Sequence, residues 1–174
     1  MTSPDLDSTP SSDREACPSC GARLGGRSGC QEVFEQLQAQ AWSSPVRAAV
    51  HNLVVDTYAM QHPEEYCRSA KSYLAHLTGL CCGVEASGDP RLSRAISRWL
   101  DGSTALGRPA DISQRGRLTI ATVRAPGREE DYAELVRAWA KDVWAAYDAQ
   151  HGAARQCLGE GSRYVDSAGS RLRR

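Results

Sequence analysis

Cys17-Pro18-Ser19-Cys20-Gly21 sets two thiols three positions apart on a tight turn, with a glycine free to adopt the backbone angle that closes it. Such a turn aims both sulfurs at one point, so the chain around it must supply the remaining donors of a metal site. Cys30 is the third donor by position: it follows Gly29 at the expected start of the first helix, where the helix dipole favours a thiolate. The chain has seven cysteines, an odd number that a complete disulfide framework cannot use up. Cys67, Cys81, Cys82 and Cys157 fall in stretches of helical spacing and are expected to behave as small apolar residues.

Past Cys30 the apolar residues recur at helical spacing, which predicts an all-α fold: a helical bundle of about five helices carrying an N-terminal zinc-knuckle-like loop over 16–30. The helices are expected over about 31–42, 46–62, 65–85, 91–101 and 129–151. Pro45 suits a first helical position and Pro63 ends the second helix at His62. Residues 102–127 are punctuated by glycine and proline, and Leu118–Val123 reads either as a short strand or as a single helical turn capped by Thr119. A lone strand has no evident partner, so the turn is preferred. Residues 1–15 are expected to be a disordered tail, 16–158 one helical domain, and 159–174 a frayed, flexible tail.

The fourth metal ligand must come from His51, His62, His76 or His151. If the first two helices form an antiparallel hairpin about Ser44, Cys30 is level with about residue 58. His62 is then one turn away and His51 about two turns, roughly 10 Å at 1.5 Å per residue. The expected metal set is therefore Cys17, Cys20, Cys30 and His62, and soft donors of this kind suit Zn2+. Four protein ligands leave no open position for water, so the site reads as structural.

A second polar group is expected between helices. The same counting about Pro63-Glu64 sets His51 level with His76, with Tyr58 or Asp56 nearby, although Asp56 points away from the His51 stripe. Two imidazoles with a phenol or carboxylate can form an acid–base or metal pocket, so His51, His76, Tyr58 and Asp56 are the candidate catalytic residues. The same side chains can instead be a hydrogen-bonded network that fixes helix register. His151 lies on the flank of the last helix and reads as a surface or capping residue.

Charge narrows the partners. The chain has 21 basic and 21 acidic residues, so it has no general attraction for phosphate backbones or anionic lipids. The knuckle offers only Arg23 and Arg27 and no aromatic platform, and nucleic-acid binding is not expected. No run approaches the roughly 20 apolar residues of a membrane span. The polar, acidic start lacks a secretory pattern, so a cytoplasmic protein is expected. Gly25-Gly26 lacks the Lys-Ser/Thr of a phosphate-binding loop, and no serine sits in a nucleophile elbow.

The string CPSCG, then Gly29-Cys30, His51, Leu53, Val55-Asp56-Thr57-Tyr58-Ala59-Met60-Gln61-His62-Pro63 and His76-Leu77-Thr78-Gly79-Leu80-Cys81 resembles the pattern of a bacterial family carrying a domain of unknown function. Trp139, Trp144, Tyr147 and His151 match its closing helix, so the resemblance spans about residues 16–152. It implies that Cys17, Cys20, Cys30, His51, Asp56, Tyr58, His62 and His76 belong to the family pattern, and it brings no activity with it. Two functions follow as expectations. One is a zinc-binding helical protein that binds a protein or small-molecule partner. The other is a small metal-dependent or acid–base enzyme using a His51/His76 pocket.

Overall fold

The computed structural model describes residues 14–102 and 107–171, with side chains as far as Arg163. Its helices are α1 (Gly26–Ala39), α2 (Pro45–Gln61), α3 (Pro63–Tyr66), α4 (Ala70–Glu85), α5 (Pro90–Gly102), α6 (Tyr132–Ala146) and α7 (His151–Arg171). Among the described residues there is no strand, only an isolated antiparallel bridge between Ala16 and Arg23 that closes the knuckle. The fold is all-α, as the spacing predicts. No helix among the described residues is long and apolar enough to cross a membrane.

The start of α2 follows from local chemistry. The Ser44 hydroxyl accepts the Arg47 N–H and Pro45 occupies the first turn, where its missing donor costs nothing. At the other end His62 leaves helical geometry ahead of Pro63. This helix runs through the middle of the main core, where Val54, Tyr58 and Met60 are buried with Leu77, Leu80, Trp139 and Val143 from α4 and α6. Behind α4, a smaller apolar cluster of Leu74, Cys82, Ile96, Leu100 and Cys157 holds α5 and α7. Cys67, Cys81, Cys82 and Cys157 are buried free thiols, and burial pushes Cys67 and Cys81 up to about 12.

Several boundaries depart from expectation. α1 begins at Gly26, earlier than the expected residue 31, because Gly25 and Gly26 turn through left-handed geometry while their N–H groups bond to the Glu15 carbonyl. The expected helix over 65–85 is two: α3 ends at Tyr66, and Ser69 restarts the chain with a reciprocal capping box to Ser72. The expected helix over 129–151 also divides. His151 stacks on Trp144 at 3.8 Å, and its Nε2–H reaches the Trp144 carbonyl at 2.8 Å, capping α6 as α7 begins. Helix α7 then continues to Arg171 where a frayed tail was expected, and Gly161 lies against the Ile96 backbone. Residues 1–13 and 103–106, and the tip beyond Arg171, lie outside the described residues. The expected disordered tail therefore falls almost wholly outside them.

The described part of the segment between α5 and α6 contains two 3-10 turns, Ile120–Thr122 and Glu129–Asp131, and the Thr119 hydroxyl accepts the Ala121 N–H in front of the first. Gln61 anchors this segment. Its amide donates to the Arg115 and Leu118 carbonyls at 2.9 Å, and its oxygen accepts the Trp139 indole N–H at 3.0 Å. Asp142 on α6 accepts the Arg117 and Leu118 N–H groups. A chain with no period of its own is thus held beside the knuckle by side-chain bonds.

Candidate metal centre

The knuckle closes on backbone hydrogen bonds, Cys17 N–H to the Ala22 carbonyl and Gly21 N–H to the Cys17 carbonyl, each 2.8 Å. Gly21 takes a φ of 78°, which a side chain would oppose. Arg27 on α1 straps the turn to α3 by reaching both Ser19 and Glu65. Cys30 projects from the second turn of α1, and His62 enters from the end of α2.

Four donor atoms meet there. The Sγ of Cys17 is 3.5 Å from His62 Nε2, the Sγ of Cys30 is 3.5 Å from the same nitrogen, and the Sγ atoms of Cys20 and Cys30 are 3.6 Å apart. All four donors lie within 4.8 Å of one another. A tetrahedral ion with ordinary thiolate and imidazole bonds has edges of about 3.8 Å between sulfurs and about 3.6 Å from sulfur to nitrogen. The short edges of the cluster match these lengths, so the residues present fit a metal ion.

His62 is oriented for this. Its Nδ1–H donates to the Tyr58 carbonyl at 2.8 Å, which leaves Nε2 as the lone-pair nitrogen facing the sulfurs. The Tyr58 ring stacks on the imidazole at 4.0 Å and on Phe34 at 4.0 Å, and its hydroxyl bonds to Cys30. Burial, the Cys30 charge and that hydrogen bond all push the Tyr58 phenol up, so it remains a neutral donor. Cys17, Cys30 and His62 are buried, while Cys20 is half-exposed. The hydrogen bond with Cys30 holds the Cys20 thiol down to about 4 against the opposing effect of burial, and the proton the two sulfurs share pushes the Cys30 thiol up. A cation entering the cluster displaces that proton.

The second group assembles differently from the expected one. His76 Nδ1–H donates to Asp56 Oδ1 at 2.9 Å, and their side chains are 24% and 17% exposed. Burial pushes the Asp56 carboxyl up, and the His76 hydrogen bond partly offsets this. His51 packs against Trp42 at 5.4 Å between rings and reaches Asp56 only through its field. Tyr58 belongs to the sulfur cluster. The expected His51–His76 pair with Tyr58 is therefore replaced by an Asp56–His76 pair. The hairpin count fails because α3 and the Ser69 cap lengthen the connection, moving its midpoint from Pro63-Glu64 to Tyr66. Among the described residues the sulfur cluster is the one group of His, Cys, Asp and Glu close enough to share an ion, so Asp56–His76 has no third ligand.

Some residues that build the centre carry no metal-binding signal in the sequence. Gln61 and Asp142, which hold residues 115–118 beside Cys20, are ordinary polar residues until the fold brings them together. Gly79 is equally silent at the Asp56–His76 pair: a Cβ there would overlap the Asp56 carboxylate, so the glycine is what lets Asp56 reach His76.

Neither the curated proteins nor the solved structures contain a match to this chain. The family of unknown function DUF5946 matches residues 15–155, a span that holds all four donors of the cluster and the Asp56–His76 pair, and the chain belongs to that family.

Proposed function

We propose that Cys17, Cys20, Cys30 and His62 hold one Zn2+ as a closed structural centre, and that the protein works by binding a partner or small ligand rather than by chemistry at the metal. The observation that carries this reading is the set of short donor–donor edges, 3.5, 3.5 and 3.6 Å, around an imidazole already oriented by a carbonyl. Zn2+ suits a three-sulfur, one-nitrogen set, and four protein ligands satisfy its preferred coordination. The ion would join the knuckle, α1 and the end of α2, adding to the apolar packing that Ala22, Phe34 and Tyr58 already share.

Elemental analysis of the protein purified under reducing conditions tests this, followed by thermal unfolding before and after chelation. The expected result is one zinc per chain and a lower melting temperature once it is removed. Protein that is metal-free as isolated and melts unchanged in chelator contradicts the reading, and so does stoichiometric iron in place of zinc.

A second reading, acid–base catalysis, has one specific observation in its favour. A carboxylate that orients an imidazole is the arrangement of a general base, and Asp56–His76 lines an open cleft.

A further inference from the structure

The face of α4 opposite the metal centre is covered incompletely. Two adjoining cavities of about 510 and 280 Å3 lie over it, bounded by α2 on one side and α5 on the other. Asn52, Asp56, Gly79 and Ser93 line both, so they form one bent groove with Asp56 at the bend. Gly79 and Gly83 lower its floor: a Cβ at the first would meet Asp56 and at the second Leu53. The size is that of a metabolite pocket.

The polar atoms facing this groove are incompletely matched by the protein. Among the described residues, Asp56 Oδ1 receives the His76 N–H, while Asp56 Oδ2 and His76 Nε2 have no side-chain or backbone partner. Placing a carboxylate there is costly when an apolar residue would fill the gap, unless the carboxylate meets something else. Arg137 and Lys141, one turn apart on α6, line the wider half, and neither joins an ion pair among the described residues. Among the described residues they are the only basic ones lining it, and Asp56 is the only acid. With two cations facing one carboxylate, the net charge lining the wider half is positive.

We infer that this groove is a binding site for a small organic anion, its carboxylate or phosphate group held by Arg137 and Lys141 and a hydroxyl or amine of the same molecule hydrogen-bonded to the Asp56–His76 pair. The assignment rests on the ligand-binding part of the proposed function and is independent of the zinc. Asn52, exposed on the wall shared by both halves, supplies an amide that can donate or accept along the molecule. Carboxylates and phosphates share the recognition chemistry of Arg137 and Lys141, and the probes below separate them.

The test is a titration of the full chain as purified, followed by backbone amide and histidine side-chain NMR. The probes are malate, glycerol 3-phosphate, inorganic phosphate, glycerol and agmatine, and metal content is measured on the same samples. Malate or glycerol 3-phosphate is expected to shift the His76 imidazole and the amides of residues 79–83 saturably, whereas glycerol and agmatine leave them in place. Saturation by malate assigns a carboxylate, and saturation by glycerol 3-phosphate a phosphate. Arg137→Ala with Lys141→Ala, both exposed positions whose loss leaves the core intact, is expected to weaken the bound anion about tenfold or more. A second variant, Asn52→Trp, fills the groove from its exposed wall and abolishes the shifts. The inference is overturned if no anion moves His76, if agmatine binds instead, or if the double variant binds as well as the parent. Binding by metal-free protein sinks the zinc reading alone. Product resonances appearing during the titration keep the site and sink the non-catalytic reading.

Discussion

His62 shows how much of this protein's organisation is decided at single side chains. One ring nitrogen is committed to the Tyr58 carbonyl at 2.8 Å, and the other is thereby left to face the sulfurs of Cys17 and Cys30. Tyr58 fixes the ring twice more, by stacking at 4.0 Å and by placing its hydroxyl on Cys30. Outer-shell partners of this kind tune metal sites by about 10- to 100-fold. Tyr58→Phe keeps the stacked ring and the carbonyl and removes only the hydroxyl. It is expected to retain full metal content but to release the ion to a chromogenic chelator about tenfold faster; release at the parent rate would show that the hydroxyl does not support the centre. The four donors were readable from residue types and one hairpin count, because the α1–α2 connection is short and unbroken. Asp56, which by helical spacing points away from the His51 stripe, is the residue that pairs with His76, since the α2–α4 connection contains an extra turn that periodicity cannot reveal.

At the scale of elements, local signals decided some boundaries and long-range contacts decided others. Ser44-Pro45 and His62-Pro63 bracket α2 in the sequence and in the fold. Thr119 caps a turn, as its short, partnerless surroundings imply. The break between α6 and α7 is different, because the helical spacing runs across it without a proline or glycine. It is imposed by distant groups: the Tyr147 hydroxyl bonds to the Met60 carbonyl and Gln150 accepts the Tyr73 hydroxyl at 2.7 Å. The start of α4 shows how a weak local signal can matter. Ser69 and Ser72 cap each other, a serine-for-glutamate form of the capping box that is easily overlooked in sequence. Ser69→Ala is expected to cost about 1 kcal/mol of unfolding free energy, measured by urea denaturation, with the metal content unchanged. A larger cost, or loss of metal, would mean that the cap also positions α3 and His62.

At the scale of the whole molecule, the chain closes around two unlike centres on either side of the α2–α4 pair, a sulfur cluster and a polar groove. The outer helix α7 is tied back by Arg155, whose guanidinium meets the Glu85 carboxylate at 2.7 Å beside the Trp144 indole N–H at 3.0 Å. That Arg155 hydrogen bond, against the opposing effect of burial and helped by the Trp144 indole, holds Glu85 down from 4.5 to about 2. The group is depressed in the folded state, so its stabilisation is complete above the unfolded value and is lost as the pH falls from 4.5 towards about 2. The pair is partly exposed, and its contribution is small. Glu85→Gln is therefore expected to lower stability modestly at pH 7 and to leave it unchanged near pH 2, with a correspondingly shallower acid slope in urea titrations. Equal losses at both pH values would assign the effect to packing against Trp144 rather than to charge.

On the proposed reading acid acts on the sulfur cluster too, since protons would compete with a bound ion for three thiolates and one imidazole. What joins the knuckle to the bundle in this account is a single ion shared by Cys17, Cys20, Cys30 and His62, and X-ray absorption at the zinc edge measures its coordination directly. The account predicts three sulfurs at about 2.3 Å and one nitrogen at about 2.0 Å per zinc, with the nitrogen contribution lost in His62→Ala. A first shell of oxygen and nitrogen without sulfur, or a spectrum that His62→Ala leaves unchanged, would contradict it.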